Sequence, residues 1–172
     1  MSTIEIHRNS ITCLKTDVIV NAANSSLAAG GGVCGAIFAA AGIAELSKEC
    51  KRYGHCPTGS AVITSSCNLK DNKYIIHAVG PCYREGKNGE AEQLYSCYIC
   101  SLTLAKENFC HSIGLPLISS GIYGYPKEED WRVALTACSD FICENPDYEI
   151  NIVFVSPDRN IVEMGKEIYQ NL

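Results

Sequence analysis

Apolar residues fall along the chain in short runs that polar and turn-forming residues separate. Six of these runs are rich in β-branched residues and too short for helices, which is typical of strands. They are Ile4–His7, Val18–Ala22, Ala61–Thr64, Tyr74–Val79, Ser112–Pro116 and Ile150–Val155. Several contain almost no polar position, so we predict strands that are buried on both faces of a sheet.

Longer stretches of helix-forming composition lie between the predicted strands. They are Val33–Ala41, Ile43–Tyr53, Glu90–Asn108, Lys127–Asn145 and Asn160–Gln170. In the third stretch, one face of the predicted helix would contain Leu94, Cys97, Ser101, Leu104 and Ala105, because these residues recur at helical spacing. Strands that alternate with helices predict crossover connections, and therefore an α/β fold whose mostly parallel sheet is covered by helices on both faces.

The composition is that of an ordinary globular protein. The chain has 172 residues, of which 47% are hydrophobic and 19% charged, and no repeat, linker or charge block divides it. A chain of this length fits one domain, so we expect residues 1–172 to fold as a single unit. Its longest apolar runs are far shorter than the roughly 20 residues that a membrane-spanning helix needs.

The N-terminus and the cysteines both indicate a cytoplasmic protein. Residues 1–10 lack the basic segment and the apolar segment of a secretory signal. The 11 cysteines cannot all pair within one chain, so we expect free thiols. A net charge of −5 gives no general attraction to nucleic acid, so an anionic ligand must be held by local groups.

The first segment with recognisable chemistry is DVIVNAANSSLAAGGGVCGAIFAAAG, residues 17–42. A buried strand leads through an Asn-rich turn to Gly30, Gly31 and Gly32, and then to a helix of small residues. The glycines have no Cβ atoms, and the first amides of a helix lack partners, so backbone N–H groups can donate to a phosphate oxygen. Taken alone, a run of glycines equally fits a loop that only needs to turn tightly.

The second such segment is LPLISSGIYGYP, residues 115–126, which also runs from a strand through a small-residue turn to a helix. Two loops of this kind at the ends of neighbouring strands would hold one diphosphate between them, with Tyr123 and Tyr125 as walls of the cleft. No Gly-Lys-Ser/Thr follows the glycines and no GxGxxG spacing is present. A nucleoside triphosphatase and a Rossmann dehydrogenase are therefore disfavoured.

Five motifs together resemble the macrodomain family: VNAANSSL, GGGVCGAIFAAAG, CPTGSAVIT, YIIHAVGP and ISSGIYGYP. The resemblance covers almost the whole chain and is closest to the bacterial, MacroD-type branch, whose members remove ADP-ribose from acidic side chains and deacetylate O-acetyl-ADP-ribose. It implies a three-layer α/β/α fold with a mixed, mostly parallel sheet. It also implies ADP-ribose or a derivative as ligand, mono-ADP-ribosylated proteins as further partners, and no metal or organic cofactor.

The resemblance implies roles for individual residues as well. Asn24 would bind the distal ribose and take part in catalysis. That ribose and the diphosphate would contact Gly31, Gly32, Val33, Ser119, Ser120, Gly121, Ile122, Tyr123, Gly124 and Tyr125. The adenine and the proximal ribose would lie against Ser10, Ile11, Pro157, Asp158 and Asn160.

Some of these polar residues have a simpler interpretation. Asn24 and Asn21 are residue types that commonly cap turns, and for Asn21 we expect that role. Asp158 and Asn160 equally fit capping residues at the start of the last helix.

Two positions depart from the family pattern at the adenine end. Ser10 stands where many members have an Asp that accepts a hydrogen bond from the adenine amino group, and a hydroxyl accepts a weaker one. Pro157 stands where an aromatic ring often stacks on the adenine. These two replacements predict looser selectivity for the base.

Cys34 is the third departure, because MacroD-type hydrolases have at this position an Asp that helps to activate water. A helix N-terminus favours a thiolate, which would make Cys34 a base or nucleophile. A small apolar packing residue is the commoner role of a buried cysteine. In that case a water held between Asn24, the glycine amides and the phosphate of the substrate would still allow hydrolysis.

The remaining cysteines and histidines do not predict a metal site. Cys97 and Cys100 have CxxC spacing, and His111 follows a cysteine, but a structural zinc site needs a second, comparably spaced pair of ligands. Both cysteines also fall inside a helical pattern. His77 lies in a buried strand and is predicted to be a core residue with satisfied hydrogen bonds.

The sequence therefore favours an enzyme that hydrolyses O-acetyl-ADP-ribose or mono-ADP-ribosyl esters and releases ADP-ribose. Two alternatives stay open. Cys34 in place of Asp favours a reader that binds ADP-ribose without turning it over. Ser10 and Pro157 favour a macrodomain with altered nucleotide specificity, for which the acidic charge balance makes RNA a poor ligand.

Overall fold

The computed structural model describes the whole chain, Met1–Leu172, and contains all the predicted strands and helices. The strands are β1 (Thr3–Arg8), β2 (Val18–Ala23), β3 (Ala61–Ser65), β4 (Tyr74–Val79), β5 (Ser112–Leu115) and β6 (Asn151–Ser156). The helices are α1 (Gly32–Ala41), α2 (Ile43–Lys51), α3 (Glu90–Glu107), α4 (Lys127–Glu144) and α5 (Arg159–Gln170). A short 3-10 turn, Ile11–Cys13, lies between β1 and β2.

The observed ends of the elements differ from the predicted ones by at most two residues. β5 stops at Leu115 because Pro116 has no N–H to donate to a sheet ladder. α2 stops at Lys51, two residues before the predicted end, since the chain turns away towards Gly54, whose φ of 71° is left-handed.

The six strands form one mixed sheet in the order β1-β6-β5-β2-β4-β3. Every neighbouring pair is parallel except β3 and β4, which are antiparallel at one edge. The central strands β2 and β4 bury nearly all their residues, whereas the edge strands β1 and β3 are partly exposed. This arrangement confirms the predicted three-layer α/β/α fold.

Side chains of β2 alternate between two hydrophobic cores on opposite faces of the sheet. Val18 and Val20 belong to the larger core, which they share with residues of α3, α4 and α5. Ile19 and Ala23 belong to the smaller core, formed with α1 and α2. Because successive strand residues point to opposite faces, Asn21 faces α1 and α2 as well.

The predicted inner face of α3 packs in the larger core. Leu94, Cys97, Ser101 and Ala105 are fully buried, and Leu104 is half-buried against the same core. None of the five helices combines the length and the apolar character that crossing a bilayer would require.

Candidate functional site

A cleft of about 580 Å³ lies where β2, β4, β5 and β6 end at the carboxyl edge of the sheet. The loop between β2 and α1, residues 24–31, is called the glycine loop here. The loop between β5 and α4, residues 116–126, is called the serine loop. β2 and β5 are neighbours in the sheet, and both loops line this one cleft.

Most of the residues that were predicted from the sequence to bind the ligand or to act in catalysis line the cleft. They are Asn24, Gly31, Gly32, Val33, Cys34, Ser119, Ser120, Gly121, Ile122, Tyr123, Pro157 and Asp158. Five others do not line it: Ser10, Ile11, Gly124, Tyr125 and Asn160.

Each of these five residues has a defined place beside the cleft. The Ser10 hydroxyl is bonded to another hydroxyl in the 3-10 turn at 3.0 Å, and Ile11 is buried in the smaller core. Tyr125 is buried under the serine loop, and its amide donates to the Ser119 carbonyl. Gly124 lies at the exposed tip of that loop, and Asn160 is exposed in the first turn of α5.

Sequence reasoning missed a set of small and apolar residues that complete the cleft. They are Ala22, Ala23, Gly80, Pro116, Leu117, Ile118, Val155, Ser156 and Ile161; Gly30, which the sequence analysis named as part of the glycine run, lines the cleft as well. None carries a distinctive functional group. Their one common signal is position, because most of them lie at or just after the carboxyl ends of parallel strands, where ligands of such sheets usually bind.

The glycine loop presents unpaired backbone amides to the cleft. The N–H groups of Gly31, Gly32 and Val33 have no acceptor within the protein, since Gly31 is the N-cap of α1 and the other two open the helix. The first internal bond at this end is donated by Gly35 to the Gly31 carbonyl at 3.1 Å. These amides and the positive end of the helix dipole together favour an anion.

Gly35 allows the glycine loop to lie directly on α1. A Cβ atom built on Gly35 would be 2.5 Å from the Gly30 carbonyl oxygen, which is a severe overlap with backbone. Glycine is therefore the residue that lets the loop approach the helix closely enough to place its amides in the cleft.

The Asn24 side chain closes the glycine loop. Its Oδ1 accepts hydrogen bonds from the Ala28 amide at 3.0 Å and from the Ser26 hydroxyl at 2.9 Å, and its Nδ2 donates to the Ala28 carbonyl at 2.9 Å. An amide nitrogen carries two hydrogens. One therefore remains for a ligand, so Asn24 can cap the turn and bind in the cleft at the same time.

A chain of hydrogen bonds runs from β3 to β2 behind the glycine loop. Asn21 and His77 are register partners on β2 and β4, and Asn21 Nδ2 lies 3.1 Å from His77 Nδ1. His77 Nε2 lies 3.0 Å from the Thr64 hydroxyl, which donates to the Ser65 carbonyl. The prediction that His77 is a satisfied core residue is confirmed. The prediction that Asn21 caps a turn is wrong, because Asn21 lies inside β2 and is fully buried.

The ionisation of His77 is fixed by its position. Burial lowers the pKa of His77 to about 4. With Nδ1 accepting from Asn21 and Nε2 donating to Thr64, the ring is neutral and carries its proton on Nε2. His77 therefore braces the strands under the glycine loop and has no free nitrogen for chemistry in the cleft.

The Cys34 thiol makes two hydrogen bonds at the floor of the cleft. Its Sγ donates to the Ala28 carbonyl at 3.6 Å and accepts from Asn21 Nδ2 at 3.7 Å. The residue is 6% exposed. A thiolate could not make the first of these bonds and would face a carbonyl oxygen. The geometry therefore favours a packed thiol over an activated nucleophile.

The serine loop contributes a second set of unpaired amides. The N–H groups of Gly121, Ile122 and Tyr123 have no acceptor within the protein, and all three residues line the cleft. Ser119 has a φ of 69°, unusual for a residue with a side chain, and its buried hydroxyl has no partner. Unlike the amides, this hydroxyl can both donate and accept.

Gly80, just after β4, allows the serine loop to come close to the sheet. A Cβ atom on Gly80 would lie 2.1 Å from Ser119 Oγ and 2.6 Å from Ile118 Cγ2. A larger residue at this position would overlap with the Ser119 and Ile118 side chains, so these side chains or the serine loop would have to shift.

The cleft is almost free of charge. Asp158 is the only ionisable acid or base besides Cys34 and Tyr123 among the residues that line it, and no Lys or Arg is present. Asp158 is also the N-cap of α5, where its Oδ1 accepts from the Asn160 amide at 2.8 Å. An anionic ligand in this cleft would therefore be held by backbone dipoles and not by cationic side chains.

No group of three or more His, Cys, Asp and Glu side chains lies close enough together to hold a metal ion. Cys97 is buried in α3 with its thiol directed at the Val79 carbonyl, and Cys100 lies near the Gly59 carbonyl. His111 is engaged with the carbonyl of Glu149.

Comparison with known proteins agrees with the fold and the loops. Residues 20–134 match the Macro domain family, and this stretch contains both the glycine loop and the serine loop. The chain belongs to the macrodomain family. It is 44% identical over 175 aligned positions to the O-acetyl-ADP-ribose deacetylase of Escherichia fergusonii. The alignment covers 99% of this macrodomain and 95% of that protein.

Solved macrodomain structures superpose on the whole fold. The Oceanobacillus iheyensis macrodomain with ADP has a TM-score of 0.90 and 38% identity, covering 99% of this chain and 91% of that one. The Trypanosoma brucei macrodomain in complex with ADP-ribose has a TM-score of 0.88 and 34% identity, covering 96% of this chain and 68% of that one.

Proposed function

We propose that this macrodomain binds ADP-ribose in the cleft and hydrolyses O-acetyl-ADP-ribose, mono-ADP-ribosyl esters of acidic side chains, or both. In either reaction water is added across an ester bond, and ADP-ribose and a free acid are released. No metal or organic cofactor takes part in the proposed reaction.

One observation carries the proposal: two loops line the same cleft, which has no cationic side chain, with backbone amides that have no acceptor in the protein. The amides of Gly31, Gly32 and Val33 come from the glycine loop and the start of α1. Those of Gly121, Ile122 and Tyr123 come from the serine loop. Unpaired backbone donors on two loops that line one cleft favour a ligand with several acceptor oxygens, such as a diphosphate.

The similar proteins support the choice of ligand. One relative is named an O-acetyl-ADP-ribose deacetylase, and two similar structures contain ADP or ADP-ribose. In the proposed complex, the free Nδ2 hydrogen of Asn24 contacts the distal ribose. The adenine and proximal ribose occupy the β6 end of the cleft beside Pro157 and Asp158, with Ser10, Ile11 and Asn160 nearby.

Catalysis in this proposal depends on a positioned water. Cys34 is engaged as a thiol, so we assign the activation of water to Asn24, the glycine-loop amides and the phosphate of the substrate itself. Positioning and preorganised dipoles account for much of the rate in many enzymes. Cys34 then serves as a packing residue at the floor of the cleft.

A reader that binds ADP-ribose without turnover is the second candidate. It is favoured by the absence of a free general base, since His77 is buried away from the cleft and the Asp158 carboxylate caps α5. Altered nucleotide specificity is the third candidate. It is favoured by Ser10, whose hydroxyl is bonded within its own turn and which does not line the cleft.

Calorimetric titration with ADP-ribose tests the ligand. We expect one site per chain, and weaker binding of the guanine analogue. No heat at millimolar ADP-ribose would contradict the proposal, and tighter binding of the guanine analogue would support altered specificity.

Turnover of O-acetyl-ADP-ribose and of a protein mono-ADP-ribosylated on Glu or Asp separates the enzyme from the reader. We expect release of ADP-ribose from at least one substrate, and loss of at least about a hundredfold in rate for Asn24→Ala, since one positioning group can contribute that much. Ser26→Ala is the control, because it removes a bond that closes the same loop but no group that lines the cleft. Tight binding without turnover by the unmodified protein would favour the reader.

Residues 1–172 act as one macrodomain in this proposal, and we place it in the cytoplasm. All 11 cysteines are free thiols, as is typical of proteins in a reducing compartment. Mono-ADP-ribosylated proteins are the proposed macromolecular partners.

A further inference from the structure

A buried pair of side chains lies behind the serine loop. Tyr98 of α3 and Asp130 of α4 are both completely buried, and the Tyr98 hydroxyl donates to Asp130 Oδ1 at 2.9 Å. The same hydroxyl accepts the backbone N–H of Ile118 at 2.9 Å. Ile118 lines the cleft and directly precedes Ser119. The pair therefore connects two helices to the part of the serine loop that borders the ligand cleft.

Packing alone does not account for this pair. Asp130 Oδ2 is buried and has no hydrogen-bond partner, and burial raises the pKa of the carboxyl well above its usual value. A buried polar group without a partner is unfavourable, and an apolar residue of similar size would fill the space without that cost. The pair does, however, fix the direction of the Tyr98 hydroxyl, whose lone pair then remains for Ile118.

The segment held by this contact is strained. Ser119 adopts a φ of 69°, and its carbonyl accepts the amide of Tyr125 at 2.9 Å. A residue with a side chain keeps a left-handed conformation only where its surroundings enforce it. The contact of Tyr98 with Ile118 lies immediately before Ser119, and the unpaired amides of Gly121 and Ile122 follow it.

We propose that Tyr98 and Asp130 are positioning residues for ligand binding: by holding the Ile118 amide, they keep Ser119 left-handed and direct the serine-loop amides into the cleft. This inference rests on the proposed binding of ADP-ribose. Neither residue contacts the ligand, so both act through the conformation of the loop.

The chain offers a matched control for the first test. Tyr95 of α3 and Asp140 of α4 form a second tyrosine–aspartate pair between the same helices, with the hydroxyl 2.6 Å from Oδ2, but neither side chain is hydrogen-bonded to the serine loop or lines the cleft. Tyr98→Phe is expected to weaken ADP-ribose binding by about tenfold, the size of one lost hydrogen bond. Tyr95→Phe is expected to leave binding unchanged. Equal effects of the two variants, or no effect of Tyr98→Phe, would overturn the proposal.

A double variant separates positioning from stability. Tyr98→Phe leaves Asp130 without its donor and is expected to lower the melting temperature. Tyr98→Phe with Asp130→Leu removes both polar partners, which restores stability while the Ile118 amide remains without an acceptor. We expect the melting temperature of this variant to recover and its affinity to stay low. Recovery of both would show that the pair serves stability only.

Asp130→Asn provides the conservative variant. Its side-chain oxygen can still accept from Tyr98, so binding within about threefold of the unmodified protein is expected. A loss equal to that of Tyr98→Phe would contradict the positioning role, because the acceptor for Tyr98 is retained.

A readout without ligand separates this inference from the proposed function. Hydrogen exchange of the amides of Ile118 and Ser119 should quicken in Tyr98→Phe and stay unchanged in Tyr95→Phe. If the unmodified protein did not bind ADP-ribose, the proposed function would fail while this measurement could still support the positioning role. If exchange were unchanged in Tyr98→Phe, the positioning role would fail whatever the ligand.

Discussion

At the scale of single residues, most polar side chains near the cleft are already hydrogen-bonded to other groups of the protein. Asn24 closes the glycine loop, Cys34 is bonded at both its donor and its acceptor side, and Asp158 caps α5. The backbone of the two loops is what remains unpaired. In the proposed complex, side chains therefore shape the two loops and backbone amides contact the ligand.

The variant Cys34→Ser tests whether the Cys34 side chain only packs at the floor of the cleft or also takes part in the reaction. The serine hydroxyl can replace the thiol as donor to Ala28 and as acceptor from Asn21. We therefore expect ADP-ribose binding and turnover within about threefold of the unmodified protein, since a neutral hydrogen bond is replaced by another. Release of ADP-ribose from O-acetyl-ADP-ribose measures the rate.

The opposite outcome for this variant would be equally informative. A loss of about a hundredfold or more in rate, with unchanged binding, would mean that a thiolate attacks the substrate or activates water. Alkylation of the unmodified protein with iodoacetamide, with and without ADP-ribose, would then show whether the ligand protects Cys34.

At the scale of elements, the glycine loop and α1 form one unit whose internal fit decides where the amides lie. The contact between Gly35 and the Gly30 carbonyl leaves no room for a side chain. The loop end of this unit rests on the hydrogen bond that Gly35 donates to Gly31. Displacing the loop by a fraction of an ångström would therefore misplace several donors together.

Gly35→Ala is expected to disturb this unit. The added methyl group overlaps with backbone, so the loop or the helix must shift, at a cost of about 1–3 kcal/mol in the free energy of unfolding. ADP-ribose affinity should fall by at least about tenfold. Urea unfolding and calorimetry measure the two effects.

Ala39→Ser is the control for Gly35→Ala. It adds one heavy atom to the exposed face of the same helix, so stability and affinity should both stay close to those of the unmodified protein. Unchanged affinity in Gly35→Ala would mean that the loop adapts and that its exact contact with α1 does not matter for binding.

At the scale of the whole molecule, the charge distribution predicts how binding depends on salt, and the burial of His77 predicts how stability depends on pH. The protein has a net charge of −5, and the cleft contains no cationic side chain. In the proposed complex, an anionic ligand is thus bound against the overall field of the protein. Backbone dipoles must provide the attraction, and these act only at short range.

Binding of ADP-ribose should consequently depend little on salt. Raising NaCl from about 50 to about 300 mM screens a weak repulsion, so affinity should stay within about twofold or rise slightly. Asp158→Lys, which places a cation at the cleft, should make affinity fall as salt rises. Calorimetry at several salt concentrations measures both. A steep loss in the unmodified protein would show that cationic side chains hold the ligand after all.

His77 makes stability depend on pH. Its pKa is about 4 in the folded protein and 6.5 without the environment of the fold. As the pH falls below 6.5, His77 becomes protonated in the unfolded chain but stays neutral in the folded protein until about pH 4. The free energy of unfolding therefore falls over this window. From about pH 7 to about pH 5 the loss due to His77 is about 2 kcal/mol.

A comparison of variants isolates the contribution of His77. Asp130 acts in the opposite direction, because its raised pKa makes the folded protein the better proton acceptor. Urea unfolding at both pH values should show that the unmodified protein loses about 2 kcal/mol more than His77→Gln. His55→Gln, an exposed histidine, is the control. Equal losses in all three proteins would mean that His77 titrates alike in the folded and unfolded states.

Local sequence patterns are enough to predict the layers of the fold. β-branched runs and helical periodicity depend on neighbours a few residues apart, so the strands and helices were predicted to within one or two residues. The two small-residue loops can also be recognised in the sequence, because glycine and serine after a strand indicate a turn whose backbone a ligand can approach closely. The parallel order of the strands then brings both loops to one edge of the sheet.

The roles of the polar residues, in contrast, follow from contacts between segments that are distant in the sequence. Its residue type predicts that Asn21 caps a turn, but Asn21 is bonded to His77, a contact between residues on two strands. Likewise, no local pattern indicates that Tyr98 and Asp130 meet behind the serine loop. Hydrogen bonds between distant segments depend on packing geometry to within fractions of an ångström, which local sequence does not encode.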